Sequence, residues 1–345
     1  MNRVRLSELF KRTAYAATAA FALTAGLRAQ ASAAKPGVAY RQVTDEIGRT
    51  IRIPQQVERI VSLAPSLTET VYALGLQDRL VADTDYCDFP PDAQHKPKVG
   101  GAVNPSIETI ASMHPDIVLV TKNLNRLETV QALEHLGIPS YATAPQSVDT
   151  IISSTERLAE VLGAPDSGAA LVKSLQQRLA GVQEHIGARQ PRRVLFVVWT
   201  EPLISIGKDT FIADAIRHAG GVSVVDSSQS WPQLNLEEAV RLQPEFLVFA
   251  QTHAQGSAPR LDSLAQLPGW RALDAVRNRR AAVVSEGINW PSPRIVTAIE
   301  ELARQLHPAA FQLNVGAQHV APPLGNNVAD TRSSNYAIEA CACGR

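Results

Sequence analysis

The sequence predicts an α/β protein built from two Rossmann-like lobes with mostly parallel sheets, joined by a long rigid helix. Three observations predict it. Short apolar runs alternate with amphipathic stretches of helical period, as strands alternate with helices in a parallel sheet. One segment of the first half recurs in the second half at a constant offset. Between the two halves lies a helical stretch, broken once at Gly163-Ala-Pro165, that ends near Ile186.

The first thirty residues stand apart from this pattern. Arg3, Arg5, Lys11 and Arg12 form a basic start, Ala14 to Leu27 is an apolar run, and Ala29-Gln30-Ala31 offers the small residues a signal peptidase reads. Residues 1–31 are therefore expected to be a secretory signal peptide, exporting the mature chain from the cytoplasm. The run is short for a membrane span, and no Cys follows it to carry a lipid. The alternative is an uncleaved amphipathic anchor.

A polar arm is expected to about Gln56. Arg59 to Leu63 reads as a buried strand, ended by Ala64-Pro65. Ser66-Leu-Thr-Glu69 has the spacing of a capping box, and Gly75 closes the helix that follows. Leu80–Ala82 and Asp116–Val120 are further strands. Asn125–Leu136 is a helix stopped by Gly137-Ile-Pro139, before a strand at Ser140–Ala142. These elements make an N-terminal α/β lobe over 40–146. Val148–Leu162 is helical. Gly163-Ala-Pro165 interrupts it, and Asp166 is expected to cap a second helix running to Ile186, roughly 30 Å long. Residues 147–190 read as a helical strut between the lobes.

The strand at Arg193–Val197 restarts the plan, opening a C-terminal lobe over 191–308. Pro105–Val120 matches Leu234–Phe249, with Glu108 falling on Glu237, Pro115 on Pro244 and Asp116 on Glu245. Gly75 to Tyr86 has the same length as Gly220 to Trp231. The two lobes are thus expected to be copies of one plan. Ser292 is a plausible N-cap with Pro293 at the first helical position, for a helix running to Leu306. From 312 to 345 the periodicity is lost, and a disordered tail is expected.

With 33 basic and 33 acidic side chains the chain has no net charge, which argues against nucleic acid as a partner. No nucleophile elbow, P-loop, dinucleotide fingerprint or His-Glu-x-x-His spacing is present, so the chain reads as a non-enzyme with no intrinsic cofactor or metal. His114 and His135 read as surface helix residues. His95 is a loop residue and Asp88 a turn residue. Cys341 and Cys343 are too close in sequence for an unstrained disulfide, and pairing either with Cys87 leaves one thiol over.

Arg59-Ile-Val-Ser-Leu-Ala-Pro-Ser-Leu-Thr-Glu69, Asp85-Tyr-Cys-Asp-Phe-Pro-Pro91, Trp231-Pro-Gln233 and Ser292-Pro-Arg-Ile295 carry a resemblance. Over about residues 40–308 the chain resembles the helical-backbone class of periplasmic binding proteins of ABC importers. Within that class it is most similar to the vitamin B12-binding branch. The resemblance implies a monomer that captures cobalamin or a related corrinoid and delivers it to a membrane permease with its ATPase. It also implies little lobe motion around the ligand. A ferric siderophore or haem as ligand remains open within the class, and a secreted hydrolase remains open outside it.

Aromatic side chains supply broad, stiff surface to a bulky ring, and only 5% of this chain is aromatic. Tyr86 and Trp231 hold matched places in loops after short strands, where open α/β sheets bind ligands. The resemblance makes them opposing walls of a cleft. Trp290 is a candidate third wall, standing where the family has a basic residue. Trp199, at the end of the strand from Arg193, is a fourth, with a core role as its alternative. Glu286 falls where the family has an acidic cleft residue, and Ala102 where it has a Trp. An anionic siderophore would need cations, for which Lys122, Arg126 and Lys208 are loop candidates. Glu108 and Glu237 sit near helix N-termini, where a carboxylate is mildly stabilising for helix-dipole reasons alone. The resemblance gives them a second role, docking one lobe each into the permease.

Overall fold

A computed structural model describes residues 38–251 and 261–312. The expected signal peptide (1–31) and the expected tail beyond Gln312, with Cys341 and Cys343, lie outside the described residues. Where a polar arm was expected, the chain forms a hairpin of β1 (Tyr40–Thr44) and antiparallel β2 (Thr50–Pro54). Its turn is built by Asp45, whose Oδ1 accepts from the Ile47 and Arg49 amides at 3.2 and 2.8 Å. That is an Asx-type turn, and it holds a polar stretch in a strand pair without apolar alternation.

The N-terminal lobe follows with β3 (Ile60–Ser62), α1 (Pro65–Ala73), β4 (Leu80–Ala82), α2 (Ile107–Ser112), β5 (Ile117–Thr121), α3 (Leu127–His135) and β6 (Ser140–Thr143). Its sheet has the order β4-β3-β5-β6, parallel throughout. Two helices come next, α4 (Val148–Val161) and α5 (Pro165–Ile186). The C-terminal lobe contains β7 (Arg192–Phe196), β8 (Trp199–Thr200), β9 (Leu203–Ile204), α6 (Phe211–His218), β10 (Gly221–Ser223), β11 (Gln233–Leu234), α7 (Leu236–Leu242) and β12 (Phe246–Ala250). It ends with α8 (Leu261–Leu264), α9 (Asp274–Arg277), β13 (Ala281–Val284), α10 (Ile295–Leu306) and α11 (Pro308–Phe311). Its main sheet, β10-β7-β12-β13, is again parallel and repeats the order of the first.

The repeat extends to single hydrogen bonds. In the first lobe Asp116 Oδ2 accepts from the Arg59 amide at 3.0 Å, and the Arg59 guanidinium donates to the Met113 carbonyl. In the second, Glu245 Oε1 accepts from the Arg193 amide at 3.3 Å, and Arg193 donates to the Leu242 carbonyl. His114 and Gln243, each just before a Pro, adopt left-handed φ of 47° and 42°. His114 therefore lies past the end of α2, not on it. Gly75 and Gly220 share a φ of 75° at the ends of α1 and α6, the left-handed stop that glycine makes without strain.

The strut anchors in both cores. Val148, Ile151 and Ile152 of α4 are buried with the C-terminal lobe, whereas Leu158, Ala159 and Val161 of the same helix are buried with the N-terminal lobe. Val172, Leu175, Leu179 and Val182 of α5 join the C-terminal core, and Leu171 packs against both. Gly168 lets α5 approach α4 closely, since a Cβ there would lie 2.3 Å from that of Ala159. The Arg178 guanidinium ties α5 to α10 through Glu300 at 2.8 Å and Thr297 at 2.8 Å. One helix shared by two cores cannot tilt without opening one of them, because interiors are close-packed.

Three cap assignments from sequence give way. α1 is capped at Ala64 with no side-chain bond, and Pro65 starts it. α5 starts at Pro165 after Ala164, with Asp166 in its first turn but not capping it. α10 starts at Ile295 after Arg294, so Ser292 is not its N-cap. In two of these cases, Glu69 and Ser292, the side chains are used elsewhere.

Candidate functional site

In each parallel sheet the strands point one way, so the loops that follow them gather at one edge. The two edges meet. Glu69, on α1 directly after β3, is buried and accepts a hydrogen bond from the Ser292 hydroxyl and two from the Arg294 guanidinium, that from Nε to Oε2 at 3.1 Å. Ser292 and Arg294 come from the segment between β13 and α10 of the other lobe. Arg294 also lies over the ring of Phe89, 3.8 Å from its centre. A Cβ at residue 287 would lie 2.9 Å from Arg294 Cγ, so Gly287 makes room for the arginine to cross. The result is a bidentate clasp between lobes, more than 200 residues apart in sequence. Burial pushes the Glu69 carboxyl above its ordinary range; the Arg294 and Ser292 bonds oppose this, and nearby Glu286 adds to the rise.

Seven of the twelve exposed large apolar side chains among the described residues follow the carboxy ends of the sheet strands. Tyr86 is 64% exposed and Phe89 sits three residues on, both in the connection from β4 to α2. Val103 lies in the same connection, and Leu127 opens α3, the next helix after β5. On the other lobe Val198 and Trp199, 45% exposed, follow β7, and Trp231, 53% exposed, follows β10. Their place on the loops after the strands, where open α/β sheets bind ligands, makes them candidate ligand contacts. Val103, Leu127 and Val198 were not anticipated. Their signal is position alone: each follows a strand, in its loop or at the start of the next helix.

Trp199 does not end β7. It opens β8, the edge of a small antiparallel sheet in which β9 pairs with both β8 and β11. Ile204 is the common partner of Trp199 and Gln233, so this sheet brings Trp199 beside the strand that follows Trp231. Strands of two residues leave no period to read. The Trp231 loop is laced to the segment before α6: the Ser205 amide donates to the Pro232 carbonyl, Gly207 to Ser230 and Lys208 to Ser227, at 2.9 to 3.0 Å. Gly207 is required here, since a Cβ would fall 2.0 Å from the Gln229 carbonyl oxygen.

Glu286 begins a single 3-10 turn (Glu286–Asn289) and Trp290, half-buried, ends it, just before the clasp residues. Both are thereby placed at the lobe junction. Ala102, by contrast, is buried, and its carbonyl accepts from Asn125 at 2.8 Å. Of the candidate cations, Lys122 and Arg126 are exposed, while Lys208 is held by Asp226 at 2.6 Å. Among the described residues no group of three or more His, Cys, Asp or Glu is arranged to hold a metal ion. No described helix is long and apolar enough to cross a membrane.

Glu108 and Glu237 occupy the same helical position, second residue of α2 and of α7, and both are exposed. Each helix already has a side-chain cap, Ser106 accepting from Thr109 N at 3.1 Å and Asn235 from Glu238 N at 2.7 Å. Neither glutamate is needed to cap its own helix.

Two parallel α/β lobes, clasped edge to edge with aromatic loops at the seam, define a two-lobed solute-binding protein. Residues 60–286 match the family model described as periplasmic binding protein, and the chain belongs to that family. It is 30% identical over 265 residues to a vitamin B12-binding protein of Vibrio cholerae, covering 75% of this chain and 92% of the relative. The crystal structure of the periplasmic vitamin B12-binding protein of Vibrio cholerae aligns with a TM-score of 0.64 at 28% identity, over 74% of this chain and 99% of that one. A periplasmic haem-binding protein of Roseiflexus sp. RS-1, solved in apo form, aligns with a TM-score of 0.65 at 26% identity, over 74% and 99%.

Proposed function

We propose that this chain is the exported binding subunit of an ABC importer, holding cobalamin or a related corrinoid between Tyr86 and Trp231 and handing it to a membrane permease. The observation that carries the reading is the set of exposed aromatics on loops at the clasped carboxy edges of the two sheets. Flat rings in matched loops suit a broad, partly apolar macrocycle, and Trp199 and Trp290 would extend the walls. Glu286 would face the ligand as an acceptor. Similarity to vitamin B12-binding proteins supports the corrinoid. The strut shared by both cores supports a cleft that is formed before ligand arrives. The chain would act as a monomer in the periplasm, without an intrinsic cofactor and without catalysis.

Titrating the purified protein with cyanocobalamin while following tryptophan fluorescence is expected to give saturable quenching at micromolar concentrations or below. No quenching there would remove cobalamin. Haem is the second reading, favoured by the Roseiflexus neighbour. It predicts a Soret shift on adding hemin and none of the cyanocobalamin response.

Glu108 and Glu237 are proposed as the permease contacts, one on each lobe at the same place in the repeat. Complementary charge fixes register and speeds encounter. Glu108→Ala with Glu237→Ala is expected to abolish uptake into cells lacking the wild-type gene, while the cyanocobalamin affinity of the purified variant stays within about twofold of wild type. Uptake at the wild-type rate would remove the docking role.

A further inference from the structure

Tyr86 points outward from a loop whose neighbouring residues are held from inside. Cys87 is buried, with the Thr68 and Thr84 hydroxyls 3.1 and 3.2 Å from its Sγ. Lys98 is the hub. Its Nζ donates to Asp83 Oδ1 at 2.7 Å, to the Cys87 carbonyl at 3.0 Å and to the Ala93 carbonyl at 3.0 Å. An ammonium has three protons to give, and these three bonds tie the strand end, the residue after Tyr86 and the 3-10 turn Pro91–His95 into one unit. Backbone bonds from Asp83 to Pro97, from Val99 to Asp83 and from Asp85 to Gly100 close the base of the loop. Asp83 is fully buried.

We propose that Asp83 and Lys98 are positioning residues for the cleft, setting the stance of Tyr86 through the Cys87 carbonyl and so setting ligand affinity. This rests on the reading of Tyr86 as a ligand wall. Neither residue would touch ligand. The pair parallels the lacing of the Trp231 loop, but here a buried carboxylate is added to the backbone bonds, whereas the ion pair beside the Trp231 loop, Lys208 with Asp226, is exposed. The groups facing Asp83 are Lys98 and Lys96, which favour its charge, and Asp85, which opposes it. Cys87, and Tyr72 on α1, also lie within its field. Burial outweighs both lysines and pushes the Asp83 carboxyl up to about 6. The stability associated with this raised value is present below the ordinary carboxylate range and is lost as pH rises through about 6. The ion pair with Lys98 shows the opposite order: it is intact above about pH 6 and dissolves as the carboxyl takes a proton below it.

The test compares wild type, Asp83→Asn and Lys98→Met in the full chain. Cyanocobalamin affinity and amide exchange across residues 84–98 are measured near pH 7.5 and near pH 5, after melting curves confirm that each variant is folded. Wild type is expected to bind about tenfold more weakly at the lower pH, the order of one charge-assisted bond. Asp83→Asn keeps an acceptor but no charge, so it is expected to bind weakly at both, with a flat profile. Lys98→Met is expected to speed exchange at Cys87 and its neighbours about tenfold near pH 7.5. Variants with the wild-type affinity, pH profile and exchange would overturn the proposal. If wild type binds no cyanocobalamin, the corrinoid reading fails, and exchange alone decides: loosening confined to 84–98 sustains the positioning role, and unchanged exchange removes it.

Discussion

Arg294→Ala is expected to lower the unfolding free energy by about 3–5 kcal/mol, the cost of leaving one partner of a buried ion pair uncompensated. Glu69 is 5% exposed and its carboxylate has Arg294 and Ser292 as partners. Removing the guanidinium strands that charge and also uncovers Phe89, where the stacked cation adds about 0.5–1 kcal/mol. Arg294→Lys is expected to rescue little, because a point charge cannot make the bidentate contact. Acid should reduce the deficit. Burial already holds the Glu69 carboxyl above its ordinary value, and loss of Arg294 would raise it further. A raised group contributes stability below its unfolded value and loses it as pH rises through the folded one. Chemical denaturation of the variant should therefore show a larger deficit near pH 8 than near pH 5. Replacing both partners, Glu69→Leu with Arg294→Met, is expected to restore most of the stability. If it does so without restoring ligand affinity, the clasp sets cleft geometry as well as holding the lobes. An Arg294→Ala deficit below about 1 kcal/mol would mean the lobes are held by the strut alone.

The clasp also explains which parts of the molecule could be read from sequence. The parallel strands, the duplication and the strut were legible because they depend on local period and on repetition. Asp116 and Glu245 announce a shared role by their constant offset, and both do bind the amide that opens the paired strand. Ser66-x-x-Glu69 and Ser292-Pro293 have the spacing of helix caps, and local rules alone assign them that way. The partner that overrides the rule lies in the other lobe, and no local pattern contains it. The β1–β2 hairpin was missed for a related reason. Its turn chemistry is a single Asp45 side chain, and its strands alternate too weakly to show a period. Tyr86 and Trp231 could be found by matched distance from Gly75 and Gly220. Leu127 and Val198 could not, since an apolar residue after a strand looks like any strand end until its exposure is known.

Trp231→Ala is expected to weaken cyanocobalamin binding about 30-fold or more, in the range of a central aromatic anchor worth about 2 kcal/mol. Three features make the effect large and interpretable. The indole is 53% exposed, so its truncation should change folding stability by no more than about 0.5 kcal/mol. Its loop is fixed by backbone bonds to Ser205, Gly207 and Lys208, so the ring is pre-placed and little ordering cost falls on the ligand. The strand that follows it, β11, shares a small sheet with Trp199, so the second lobe carries two exposed indoles on neighbouring segments. Trp231→Phe should lose less than the alanine variant, because part of the flat surface remains. Tyr86→Ala should lose affinity as well, and the double variant should show whether the two rings grip the same ligand. If the double loss equals the sum of the single losses, each ring contributes independently; a smaller loss means that removing one already frees the other. Equilibrium titration of the wild type and all four variants, with melting curves alongside, separates these outcomes. Wild-type affinity in Trp231→Ala would remove Trp231 as a ligand wall and leave Trp199, the other exposed indole of the second lobe among the described residues, as the face to truncate next.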